Sequence, residues 1–271
     1  MSQDKARFSL THYPLPKNAQ GKTFFDKGAS YTRLRRAFRQ TVEDRTVGVL
    51  WGDPGVGKTT AIRNLIADLP KPDYQVLYLC NTSGSPLDLY RAIAGEVGVR
   101  PSHRRGQLWT DIKKAMMHMV DERGVAPVVV LDEAQHLSDI FLADLAGFLN
   151  FAFDSRDLMT LWLVGLPPLV KRLHQQEHDA LATRIAIELR FEPLDRTSFG
   201  AAVEHAFKSA GARQSMLSDP AIELLYRASR GVMRVAAKIL RTAMRVANDK
   251  DQAFLDEHAL ETALAELGSS S

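Results

Sequence analysis

The sequence predicts an α/β protein, with a parallel five-stranded sheet flanked by helices and a small all-helical domain after it. Three observations predict this. Five short apolar runs have strand length: "TVGVLW" (46–51), "YQVLYLC" (74–80), "PVVVLD" (127–132), "MTLWLVG" (159–165) and "IAIELRF" (185–191). Helical patterns separate them, among them 58–69, 86–98, 106–123 and 139–154. After "FEPLD" the strands stop, and residues 195–267 read as helices only, over 196–211, 219–228, 232–248 and 256–267. Near-continuous apolar strands alternating with helices mean a parallel sheet covered on both faces.

The N-terminal residues 1–30 are rich in turn formers and bases, as in "YPLPKNAQGKTFFDKGAS", which predicts an extended arm with a few aromatic anchors. Tyr31, Leu34, Ala37, Phe38, Thr41 and Val42 then fall at helical spacing and predict an amphipathic helix over 31–45. Its Arg33, Arg35, Arg36 and Arg39 form either a phosphate-touching face or a simply solvated one. The expected division is an arm (1–30), an α/β core with its leading helix (31–193), a helical domain (194–267) and a flexible tail (268–271).

Composition narrows the class. The 271 residues are 45% hydrophobic and 25% charged, as in ordinary soluble globular proteins, and the chain is long enough to bury a substantial core. Lys and Arg exceed Asp and Glu by 35 to 32, a balance that permits nucleic-acid binding without demanding it. The single cysteine, Cys80, cannot form an internal disulfide, so a reducing cytoplasm is the expectation. At the end of an apolar run it reads as a small core residue. No His or Cys cluster has metal spacing. No apolar run approaches the ~20 residues of a membrane span, and "MSQDKARFSLTHY" has no apolar signal core. No membrane association is expected.

The chemistry begins at "GDPGVGKT", Gly52 through Thr59, which matches G-x-x-x-x-G-K-[ST] at every fixed position between an apolar strand and a helical pattern. Phosphate oxygens need several backbone N–H groups aimed at one centre, and glycines let the chain curl that closely. The following helix adds the positive end of its dipole. Gly52, Asp53, Pro54, Gly55, Val56, Gly57, Lys58, Thr59 and Thr60 are therefore the candidate nucleotide-binding residues. Lys58 is expected at the β- and γ-phosphates, and the Thr59 hydroxyl at Mg²⁺.

"VVVLDEAQ" supplies the second part, with Asp132 and Glu133 ending an apolar strand. Ligands of parallel sheets lie beyond the carboxyl ends of strands. Asp132 is expected to support the Mg²⁺ shell, and Glu133 to polarise a water for in-line attack on the γ-phosphate of ATP. The alternative is that the pair merely caps a helix.

A strand lies between the phosphate-loop strand and the Asp-Glu strand, and a glutamate follows the aspartate. In both respects the chain resembles the additional-strand class of P-loop ATPases, and its terminal helical domain resembles the lid of an AAA+ ATPase. The resemblance implies a trans-acting arginine near the fifth strand. "ALATRIAIEL" offers Arg184, with Arg156 in "FDSRD" as second choice. It also implies a lid arginine facing the γ-phosphate, and "SRGVMRVAAK" nominates Arg234. For each arginine the alternative is a surface salt bridge. One departure stands out. The fourth strand of such proteins usually ends in a polar sensor residue, whereas "LWLVGLPPL" gives Gly165. Either a neighbouring group does that work or hydrolysis is slow.

"DEAQHL", "LVGLPPL", "TRI" and the G-x-x-R motif, with the arm and helix ahead of the phosphate loop, resemble one ATPase family over residues 20–267. That family is shared by transposition helpers of the TnsC, TniB, MuB and IstB type and by ExeA-like secretion ATPases. ExeA-like proteins carry a membrane span after the ATPase module, and this sequence ends without one, which favours the helper reading. So does a basic loop, "GVRPSHRRGQ", between the second strand and the helix over 106–123. Arg100, His103, Arg104 and Arg105 sit in it, and Lys113 and Lys114 follow on the helix. In the helpers this region lines a filament around duplex DNA, which implies sequence-independent, salt-sensitive phosphate contacts. A basic loop with no partner is the alternative. The resemblance further implies a head-to-tail homo-oligomer, a filament or ring with ATP at its joints. Double-stranded DNA, a transposase and a target-selection protein are the implied partners, and Glu133-dependent hydrolysis is the implied release step. The competing expectations are an initiator- or loader-type AAA+ ATPase, and an ExeA-like protein remodeller that ignores DNA.

Overall fold

The computed structural model describes residues 3–80, 83–151 and 155–268. In chain order the elements are α1 (Gln3–Arg7), α2 (Ala29–Asp44), β1 (Val47–Trp51), α3 (Lys58–Ala67), β2 (Tyr74–Leu79), α4 (Pro86–Glu96), α5 (Arg105–Asp121), β3 (Ala126–Leu131), α6 (Asp139–Phe148), β4 (Thr160–Gly165), α7 (Pro167–Leu173), α8 (Asp179–Ala182), β5 (Ile185–Arg190), α9 (Arg196–Ser209), α10 (Asp219–Ser229), α11 (Met233–Asp249) and α12 (Glu257–Gly268). The chain forms two compact units. One holds the segments up to Thr32, Pro54–Asn64 and from Glu192 onward; the other holds Arg33–Asp53 and Leu65–Phe191.

The second unit contains the sheet, in the order β2-β3-β4-β1-β5. All four pairings are parallel. β4 therefore lies between β1, which leads into the glycine-rich loop, and β3, which carries the carboxylates. β1, β3 and β4 are the inner strands and are almost wholly buried, so they are apolar at nearly every position. β5 is an edge strand, and its residues alternate between half-buried and exposed. The expectation of a sheet covered on both faces holds for the interior and fails at this edge, where one face meets water.

The core of this unit gathers Val49, Leu77, Ile112, Met116, Val129, Phe141 and Leu163 with their neighbours. On α5, Leu108, Ile112, Met116 and Met119 return at helical spacing to one buried face. Ser138 accepts a hydrogen bond from the Phe141 N–H and starts α6, while Ser85 and Asp88 cap the start of α4 reciprocally. A helix expected over 139–154 ends at Phe148 as α6, and residues 152–154 of that expectation lie outside the described residues. The short helices α7 and α8 are absent from the sequence reading because seven and four residues are too few to establish a period. Cys80 is corrected from core residue to exposed residue. It comes after Leu79, where β2 has ended.

The first unit is helical. Phe199, Val203 and Phe207 of α9, Leu225 of α10, Ile239, Leu240, Ala243 and Met244 of α11, and Leu260 of α12 share one core. Asp195 and Ser218 accept from the Ser198 and Ala221 N–H groups and cap α9 and α10. Phe8 and Leu10 belong to the same core, and Thr11 bonds twice to the Ala210 carbonyl, at 2.8 and 3.0 Å. The N-terminal segment is thus corrected from an extended arm: it opens with a helical turn and docks. Its apolar residues are too widely spaced to announce burial by periodicity.

Candidate functional site

The glycine-rich loop is described within the first unit from Pro54 onward. Gly55 and Gly57 have φ of +82° and +113°, a region that side chains disfavour. The loop passes directly into α3, so Lys58 and Thr59 occupy its first turn, and Lys58 is buried. A buried lysine at a helix start, beside two glycine conformations that side chains disfavour, fits a polyphosphate.

Two neighbours shape this loop. Arg234, in the first turn of α11, donates its backbone N–H to the Gly55 carbonyl at 3.2 Å. A Cβ at position 55 would lie 2.8 Å from the Cβ of Arg234 and 3.3 Å from Val232 Cγ1. Farther along α3, the buried Asn64 amide donates to the Ala19 and Thr60 carbonyls, at 3.1 and 2.8 Å, and accepts from the Gly21 N–H at 3.1 Å. Arg63 adds a bond to the Lys17 carbonyl at 2.8 Å. The segment 17–21 is thereby fastened to the helix that begins with Lys58. Asn64 and Arg63 were not singled out in the sequence, where nothing distinguishes them from ordinary helix-surface residues.

Within the second unit, Gly52 follows β1 and faces the end of β5: a Cβ there would lie 2.3 Å from the Phe191 carbonyl oxygen. Asp132 is buried, and both of its carboxylate oxygens are engaged. The Glu133 N–H donates to Oδ1 at 2.9 Å, and the Tyr78 hydroxyl donates to Oδ2 at 2.7 Å. Register accounts for the second bond. Tyr78 of β2 stands opposite Val130 of β3, and Asp132 is two residues on, so it returns to the same face. A carboxylate oxygen can accept more than one hydrogen bond, which suits a residue meant to face a cation's water shell.

Glu133 takes a left-handed backbone conformation, φ +55° and ψ +35°. This costs a non-glycine residue about 1–3 kcal/mol and recurs at functional sites. Its carboxylate Oε2 accepts from Gln135 Nε2 at 2.7 Å. Gln135 Oε1 in turn accepts from the Leu166 N–H at 3.1 Å, just past β4. Gln135 and Tyr78 are the site residues that sequence reasoning missed. Gln135 stood in plain view in "DEAQ", and its signal was the glycine at 165.

The arginine candidates separate. Arg184 precedes β5 and is half-buried, with its N–H bonded to the Leu181 carbonyl at 3.0 Å. Ile185 pairs with Val47, and Arg190 with Trp51. Arg184 is therefore level with the start of β1, at the edge of the sheet opposite the strand's carboxyl end. Arg156 instead holds both carboxylate oxygens of Asp121, at 2.6 and 3.3 Å.

The six basic candidates separate as well. Arg100, His103, Arg104 and Lys114 are exposed. His103 Nδ1 is bonded to Arg91 at 2.7 Å. Arg105 is paired with Asp144, which also accepts from the Tyr90 hydroxyl at 3.4 Å. Lys113 bonds the carbonyls of Gly147, in the last turn of α6, and Asn150, just beyond it, and lies 4.6 Å from the Phe151 ring centre. Burial draws its pKa down. Arg105 and Lys113, both expected among the DNA-contacting residues, are thus already engaged within the fold, Arg105 in an ion pair and Lys113 with main-chain carbonyls. Asp139, Glu177 and His178 come within reach of one another, but Arg172 already pairs with Asp139 there. Among the described residues, no helix is long and apolar enough to cross a membrane.

Residues 39–173 match the family model of the AAA domain. General secretion pathway protein A of Aeromonas hydrophila is 31% identical over 197 residues, covering 72% of this chain. The chain spans only 36% of that relative's length. Among solved structures, the Aeropyrum pernix ORC2 protein superposes with a TM-score of 0.71 at 17% identity, covering 99% of this chain and 72% of its own. The A. pernix ORC1 protein, solved in complex with DNA, gives 0.69 at 18%, covering 90% and 67%. The Thermotoga maritima RuvB Holliday junction branch migration motor gives 0.54 at 17%, covering 87% and 69%. At such identities these likenesses speak for the fold alone. Sheet order, phosphate loop and family match agree, and the chain carries an AAA domain of the P-loop AAA+ ATPase fold.

Proposed function

We propose that this chain is an ATP-dependent, DNA-binding assembly switch of the transposition-helper kind. The observation that carries the nucleotide part is the backbone bond from Arg234 to Gly55, which joins a lid arginine to the phosphate loop. In this reading the loop N–H groups and Lys58 hold the β- and γ-phosphates, and Arg234 senses the γ-phosphate. Thr59 and Asp132 would hold Mg²⁺, which offsets phosphate charge. Glu133 accepts a proton from the attacking water as the bond between the γ-phosphorus and its bridging oxygen breaks, leaving ADP and phosphate.

Arg184 lies level with the amino end of β1, at the opposite end of the strands from the phosphate loop. That supports a role toward a neighbouring subunit, where it completes the next subunit's site. ATP then joins protomers head to tail, in a filament or a ring, and hydrolysis by Glu133 loosens the joint. Arg100, Arg104 and Lys114 are the exposed charges for DNA phosphates, and a transposase or target-selection protein is the downstream partner.

The 31% identity to a general secretion pathway protein favours a second reading, an ATPase that acts on proteins and ignores DNA. Electron microscopy with a slowly hydrolysed ATP analogue separates the two. Nucleotide-dependent filaments on duplex DNA are expected here. Closed rings formed equally well without DNA, with no duplex binding at low salt, would establish the second reading instead.

A further inference from the structure

We propose that Gln135 is a positioning residue for Glu133, filling from the turn after β3 the role that a polar residue at the end of β4 would otherwise serve. The proposal rests on the reading of Glu133 as the group that activates water.

The side-chain amide of Gln135 bridges two strand ends. Its oxygen accepts the Leu166 N–H at 3.1 Å, and its NH₂ donates to Glu133 Oε2 at 2.7 Å. These two bonds fix each other. The Leu166 N–H can only donate, so the amide oxygen faces it, and the NH₂ is left for the carboxylate.

Gly165 makes the arrangement possible. A Cβ at 165 would lie 2.9 Å from both Gln135 Oε1 and Leu169 Cδ2, and 3.3 Å from the Gln135 nitrogen. The φ of Gly165 is not positive, so the glycine is required there by space and not by backbone conformation. The missing side chain at the end of β4 and the amide that occupies its place are one feature.

The main chain of Gln135 is held as firmly. Arg172 of α7 donates to the Gln135 carbonyl at 3.0 Å and to the Leu137 carbonyl at 2.7 Å, and it pairs with Asp139. Gln135 is thus tied through its backbone to the body of α7 and through its side chain to the residue before α7. Glu133 sits two residues away in a conformation that its own preferences oppose. A hydrogen bond to one carboxylate oxygen sets the rotation of the group, and such orientation is what a general base needs before it can act.

The test is steady-state ATP turnover by the full chain with Mg²⁺, comparing wild type, Glu133→Gln, Gln135→Met, Gly165→Ala and the Gln135→Met/Gly165→Ala double variant. Methionine keeps the volume of glutamine and removes both hydrogen bonds. Gln135→Met is expected to lower kcat by about 10- to 100-fold with KM for ATP unchanged. Gly165→Ala, which displaces the amide without removing it, should act in the same direction. The double variant should be no slower than Gln135→Met alone, because both changes break one link. A merely structural role predicts additive losses and a raised KM, and either result overturns the proposal. Wild-type turnover in Gln135→Met beside an inactive Glu133→Gln overturns it and leaves the underlying reading standing. Wild-type turnover in Glu133→Gln removes the underlying reading itself. Should Gln135→Met not fold, Gly165→Ala decides alone: wild-type kcat in that variant overturns the proposal.

Discussion

The backbone N–H of Arg234 donates to the carbonyl of Gly55 at 3.2 Å, and the two residues approach so closely that a methyl group on Gly55 would lie 2.8 Å from the Cβ of Arg234. Gly55 is therefore constrained twice, by its own φ of +82° and by the first turn of α11. Gly55→Ala should weaken ATP binding by about 1–3 kcal/mol, or roughly 5- to 150-fold in Kd. Titration of a fluorescent ATP analogue measures this. Gly106→Ala is the control: that glycine lies in α5 with nothing within 4 Å of an added Cβ, so nucleotide affinity should not change.

Thr41 organises the polar interior of the sheet unit. The Trp162 indole N–H donates to its hydroxyl at 3.0 Å, and the Thr160 hydroxyl donates to its carbonyl at 3.2 Å, all buried. Thr41→Val keeps the shape and leaves the indole N–H without an acceptor. Chemical denaturation should register a loss of about 1–3 kcal/mol. Gly48→Ala should cost a similar ~1–3 kcal/mol by overpacking, since its Cβ would lie 2.7 Å from the Trp162 ring.

The basic residues should divide in solution as they do in the fold. Arg104→Ala is expected to weaken duplex DNA binding and lower the salt slope, log Kobs against log salt, by about 1 for the lost phosphate contact. Lys113→Ala is expected to lower the melting temperature and leave that slope unchanged, because its ammonium binds carbonyls at the end of α6. Equal slopes for Arg104→Ala and wild type would reject the DNA assignment.

Acid should loosen the turn that carries Gln135. The hydrogen bond from Arg172, and secondarily its charge and His178, hold the Asp139 carboxyl below its ordinary value. A depressed carboxyl pKa gives stability that is present above the ordinary value near 4 and lost as the pH falls through the lower folded one. Asp139 is more than half exposed, so the effect is modest. Melting midpoints from pH 6 to pH 3 should fall less steeply in Asp139→Asn than in wild type. Asp139→Asn should also start lower at pH 6.

Particular residues mark the limit of what the sequence alone discloses. A phosphate loop needs several N–H groups from one short stretch, so its candidates Gly55, Gly57, Lys58 and Thr59 are neighbours in sequence and could be nominated there. The inner strands were legible because burial on both faces leaves an unbroken apolar run, and Asp132 and Glu133 were legible as its abrupt end. Arg105 and Arg104 are adjacent in the chain and look equivalent as charges. Only packing turned Arg105 toward Asp144 and left Arg104 exposed. Phe8 and Leu10 gave no period, and only the helical core showed where they are buried. Gly165 read as a missing sensor because the sequence places it thirty residues from Gln135. Strand pairing brings the end of β4 beside the turn after β3, and the empty volume of the glycine is filled by that amide. The sequence by itself determined the chemistry that local geometry must supply: the phosphate loop, the carboxylate pair and the strands that carry them. The tertiary structure decided what depends on pairing across the sheet and packing between helices, namely which charges are already paired, which arm is docked and which side chain steadies Glu133. Those contacts join residues far apart in the chain, and no local pattern records them.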